Sequence, residues 1–193
     1  MTYLSNLEKS VLEFQPIVEE MLDVSIGKIN LKPYDPKKTR NLIEQTGLIN
    51  SLPKRLGLWL YFNIIKRSPY AGVYTVDDEP NIYYNTRKSL DKLPYGETAY
   101  IAVHEMGHLA HKTHIGKEKY MKSTKQHTEF VAGYIAHKII LKSKYKNVLS
   151  LDDYKLFSAK ELGRYAVYHI DEATDSLING YRGNLKKYIA LHL

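Results

Sequence analysis

His104 and His108 stand four residues apart within Ala99-Tyr100-Ile101-Ala102-Val103-His104-Glu105-Met106-Gly107-His108-Leu109-Ala110-His111. The apolar spacing of this stretch predicts an amphipathic helix. On a helix, residues four apart share one face, with Cβ atoms about 5–6 Å apart. Two imidazoles so placed can reach a single ion. Glu105 follows about 100° further round the axis and borders the open side of that ion. There it can polarise water and accept its proton. The small residues Gly107 and Ala110 predict close packing of a second element against this helix.

The chain has no cysteine. Disulfides and thiolate metal sites are therefore excluded, and any ion is held by His, Asp or Glu. A catalytic zinc takes three protein ligands and keeps a fourth position open. Four candidates compete to be the third ligand. Glu129 follows His108 by 21 residues and lies near the start of a second helical pattern; its alternative role is to complement the dipole of that helix. His114 completes His104-x3-His108-x5-His114, but sites of that spacing turn the chain at a glycine where His111 stands. Glu172, in Asp171-Glu172-Ala173-Thr174-Asp175, is another, with Asp171 a weaker version of the same idea, and His111 is the last.

The other histidines are assigned less. His111 shares the face of His104 and His108, and its extra turn should carry it past the ion. His127 is expected at the surface or as a cap residue, and His137 and His192 have no partner pattern. A hydrolytic site also needs a group to stabilise a tetrahedral oxyanion. His169, Tyr165 and Tyr168 are candidates; their alternative is ordinary packing of an aromatic-rich helix.

Around the motif, residues 3–24 space their apolar positions as an amphipathic helix with a break expected near Pro16. Residues 30–36 read as a connection. Helices are expected around 36–47, from Pro53 to about Lys66, and near 97–113, 124–143, 158–179 and 184–191. Between them, residues 71–76 and 81–85 are β-rich and flank the turn Asp77-Asp78-Glu79-Pro80, which predicts a hairpin. Helices, a small sheet and more helices make an α+β chain. One domain over residues 1–193 is expected, with residues 1–66 a helical N-terminal part and 144–193 a helical C-terminal part.

The 193 residues, 44% hydrophobic and 25% charged, suffice for one globular core. No signal peptide or transmembrane run is read, so cytoplasmic residence is expected. The net charge is +7. Between Lys112 and Lys146 nine lysines face only Glu118 and Glu129, an excess of seven. Such a basic stretch can attract nucleic acid, although it lacks arginine, the better phosphate reader. The competing reading is a solvated face. Oligomeric state is not legible.

The stretch Ile82-Tyr83-Tyr84-Asn85-Thr86-Arg87, followed by the helix from Ala99 to His111, resembles the compact gluzincin-type metallopeptidases related to the ImmA/IrrE proteins. So does the later pattern Glu129, Ala132, Ile135, Ala136. The resemblance covers roughly residues 70–140. It implies a zincin-like fold, zinc on His104, His108 and Glu129, and Glu105 as general base. It also implies a sheet edge near residues 81–85 along which an extended peptide adds as a strand. Gly133 stands where related gluzincins often carry Asp, so support for a zinc histidine must come from elsewhere; Asp171 and Asp175 are candidates. The expected function is a zinc-dependent peptidase acting on a peptide or protein. The alternatives are a non-catalytic zinc-binding regulatory protein on the same scaffold, and a basic nucleic-acid-associated protein.

Overall fold

A computed structural model describes residues 2–34, 71–73, 77–86, 88–143 and 181–192. Helix α1 (Tyr3–Leu22) opens at Thr2, whose hydroxyl accepts the Ser5 N–H, and closes at Asp23 with φ 57°. Its buried face carries Tyr3, Leu7, Val11, Phe14, Val18 and Leu22 at the expected helical spacing. The expected break at Pro16 does not occur, because Pro16 lies inside a continuous helix. Proline deprives the Leu12 carbonyl of its N–H partner. Leu12 is 81% exposed, so water can serve that carbonyl.

Three strands form one sheet: β1 (Asn30–Pro33), β2 (Ala71–Gly72) and β3 (Asn81–Tyr84), in the order β1-β3-β2. The predicted hairpin is present as the antiparallel pair β2–β3, with Gly72 opposite Tyr83. Residues 30–33 are not the expected connection. They pair in parallel with β3, Leu31 opposite Ile82. The pairing holds because β3 offers a second edge, and Pro33, which cannot donate, ends an edge strand where it is tolerated. The predicted N-terminal part is thus not wholly helical.

After a 3₁₀ turn (Lys88–Lys92) come α2 (Tyr95–Ile115), α3 (Lys117–Lys122), α4 (Lys125–Lys142) and α5 (Leu185–Leu191). The expected helices near 97–113, 124–143 and 184–191 correspond to α2, α4 and α5. The short α3 was not expected. Thr124 caps α4 by accepting the His127 N–H. Gly116 ends α2 with φ 84° and ψ 151°, a conformation open essentially only to glycine.

Helix α2 is the central element. It packs against both α1 and α4, and is buried along most of its length. Gly107 sets how close α4 comes: a Cβ added there would lie 2.9 Å from the Ala132 Cα. The described chain is therefore mostly helical with a small three-stranded sheet, an α+β arrangement. No described helix is long and apolar enough to cross a membrane. The helices expected at 36–47, 53–66 and 158–179 lie outside the described residues.

Candidate metal centre

The close crossing of α2 and α4 builds the site. Gly107 meets Ala132. Three residues before each of them stand His104 and Glu129, and His108 follows Gly107 directly. Residues three apart lie on one helix face, so the crossing brings Glu129 against both histidines.

The atoms converge. His104 Nε2 lies 3.1 Å from His108 Nε2. Glu129 Oε2 lies 3.3 Å from His104 Nε2 and 3.6 Å from His108 Nε2. Bonds of about 2.0–2.1 Å to one tetrahedral ion would set ligand atoms roughly 3.3 Å apart. The three separations bracket that edge. His104, His108 and Glu129 are thus positioned to hold a metal ion; among the described residues they are the one group of three whose ligand atoms already lie within 4.8 Å of one another. Two imidazoles and a carboxylate, with no thiolate, suit a borderline divalent ion.

Electrostatics support the same grouping. Burial opposes the charge of Glu129, but His108 and His104 outweigh it and hold the carboxyl well below the usual range. Burial opposes protonation of His104, yet the hydrogen bond and charge of Glu129, with the charge of Glu105, raise it. Each group thus favours its neighbour's charged form, and a cation placed between them would take over that role.

Glu105 is buried beside this trio. Burial pushes its carboxyl up, His104 and His108 pull it down, Glu129 pushes it up, and the Val73 backbone N–H lowers it; the net shift is upward. A carboxylate raised toward neutral pH is suited to proton transfer. The contact with Val73 also ties Glu105 to the segment leaving β2.

His108 is oriented from behind. Its Nδ1 lies 2.8 Å from the Tyr120 hydroxyl. With Nε2 given to an ion, Nδ1–H would donate to the Tyr120 hydroxyl, which would fix ring and tautomer. Tyr120 is buried and sits on α3. Sequence reasoning missed it and sought this support at Asp171 or Asp175, which lie outside the described residues.

The remaining candidates separate clearly. His111 is fully buried one turn beyond His108 and outside the trio. His114 is exposed in the last turn of α2, because the helix runs straight through His111 to Ile115. His127, expected at the surface or as a cap, is buried; Thr124 performs the capping. Its ring faces His111 and Tyr188 rather than water. Glu172, His169, Tyr165, Tyr168, Asp171 and Asp175 lie outside the described residues.

Part of the lysine-rich stretch is engaged within the fold. Lys112 is buried and donates to the Asp77 carbonyl at 2.6 Å, and Lys117 pairs with Asp78. Asp77 in turn accepts from Asn81 at 2.6 Å and from the Tyr83 hydroxyl at 2.7 Å. These bonds tie the turn before β3 to the end of α2.

Compared with known proteins, the chain matches no family model, no curated protein and no solved structure.

Proposed function

We propose that this chain is a zinc-dependent peptidase with a zincin-like site. The observation that carries it is the convergence of His104, His108 and Glu129 with the buried Glu105 at their side. Zinc held by the trio would supply Lewis acidity to water and to a carbonyl oxygen. Glu105 then removes a proton from the attacking water and delivers it to the departing amine. Its upward shift suits both halves of that exchange. Tyr120 keeps the His108 ring aimed at the site.

The test begins with metal content. Wild-type protein, Glu129→Ala and Glu172→Ala are analysed for zinc by mass spectrometry after zinc addition and dialysis. About one zinc at the trio, lost with Glu129→Ala and kept with Glu172→Ala, is expected. A wild-type trio that takes no zinc sinks the proposal. Where hydrolysis is found on a peptide library, Glu105→Gln should keep the zinc and slow turnover by about 10²–10⁴-fold. An unchanged rate would remove Glu105 as general base.

A further inference from the structure

Behind the first site lies a second group of imidazoles. His111 on α2 and His127 on α4 are both buried, at 0% and 6% exposure. None of their four ring nitrogens has a hydrogen-bond partner among the described residues. A buried polar atom without a partner is destabilising and is uncommon in folded proteins. Two such rings stand side by side, with centroids 5.0 Å apart and planes at 66°. The metal-facing pair His104 and His108 shows nearly the same separation, 4.8 Å.

A third imidazole is within reach. His192, just beyond α5, has its centroid 5.9 Å from that of His127. Its Nδ1 lies 2.8 Å from the Tyr188 carbonyl. A carbonyl only accepts, so Nδ1 carries the proton and Nε2 keeps its lone pair, the form that binds a metal. Two imidazoles on one tetrahedral ion hold their centroids about 5 Å apart. The 5.0 Å between His111 and His127 fits that spacing, and the 5.9 Å between His127 and His192 exceeds it by less than 1 Å. The three ligand nitrogens are not gathered within 4.8 Å of one another as those of the first site are, so binding requires the exposed His192, now stacked on Tyr188, to swing inward.

We propose that His111, His127 and His192 form a second site for a borderline divalent transition-metal ion such as Zn²⁺, Co²⁺ or Ni²⁺. An ion there would satisfy buried nitrogens that the protein leaves without partners. It would also tie α2, α4 and the end of α5 together. Tyr120 lies between the two centres: its hydroxyl meets His108, and its ring stands edge-on to His111 at 5.2 Å. The site does not depend on the peptidase proposal, since it shares no ligand with it.

The probe is Co²⁺ alone, titrated into the full chain and followed by its visible absorption and by equilibrium dialysis. The variants are Glu129→Ala for the first site and His127→Phe and His192→Ala for the second. Phe keeps an aromatic ring against Tyr188, and His192 is exposed, so both variants should fold; circular dichroism checks this. Two equivalents are expected in the wild type. Glu129→Ala should remove one, and each histidine variant should weaken the other about tenfold or more. A single equivalent sensitive to His127→Phe but not to Glu129→Ala would support the second site while sinking the first. A single equivalent lost with Glu129→Ala alone, or two equivalents unaffected by both histidine variants, would overturn the proposal.

Discussion

At His108 the direction of one ring depends on one hydroxyl. The Nε2 that meets Glu129 can face an ion only while Nδ1 is held from behind, and Tyr120 holds it at 2.8 Å. Tyr120→Phe keeps the ring and its packing but removes that acceptor. The expected outcome is a 10–100-fold loss of zinc affinity with little change in thermal stability; competition against a chromophoric chelator measures the first and a melting curve the second. Unchanged affinity would mean that helix packing alone orients His108. The core of the candidate site was legible, because His104, Glu105 and His108 carry their relation in their spacing. Tyr120 was not. It follows His108 by twelve residues across a turn, and no local pattern marks a tyrosine as a histidine's partner. His127 was read as superficial for a similar reason: its neighbours Gln126 and Thr128 are polar, and among the described residues it is α2 and α5 that pack over its ring.

Between elements, the decisive contact is the crossing of α2 and α4. Gly107 allows it, since even one added carbon would sit 2.9 Å from the Ala132 backbone. Backbone cannot swing aside as the tip of a flexible side chain does, so Gly107→Ala must push the helices apart. Overpacking of this kind destabilises by about 1–3 kcal/mol, partly offset by alanine's better helix propensity. The same displacement moves Glu129 away from His104 and His108. Denaturant unfolding should show the stability loss, and zinc affinity of the folded variant should fall as well. A variant of full stability and affinity would show that the crossing has slack. The close approach was legible from the small residues of the motif, and α1, α2 and α4 from the spacing of their apolar positions. The strand β1 was not legible: it has four residues, and its register to β3 joins positions 51 apart, Asn30 with Asn81. The helix α3 is a six-residue charged segment, too short for periodicity to show.

Across the whole molecule, the buried histidines make stability depend on pH. Burial, then the imidazoles of His127, His108 and His114, push His111 down to about 3. Tyr120 is the other ionisable group against its ring, and it stays neutral because burial raises it. In the unfolded chain His111 takes up its proton near the ordinary value of about 6.5. Between those limits the unfolded state binds more protons than the folded one, so stability rises with pH there. His111's contribution is therefore complete above pH 6.5, declines as pH falls, and levels off near the folded value. His127, lowered by burial and by His192, acts in the same direction, whereas the raised His104 acts in the opposite one. The contribution of His111 is best isolated by comparing chelator-treated wild type with His111→Leu, which cannot titrate. From pH 7 to pH 5 the wild type should lose roughly 2 kcal/mol more than the variant, at about 1.4 kcal/mol per pH unit below 6.5. Urea midpoints across that interval measure the difference. Parallel pH profiles would mean that His111 reaches a proton-accepting partner or water in the folded chain, and the acid sensitivity would then belong to the metal-site carboxylates instead.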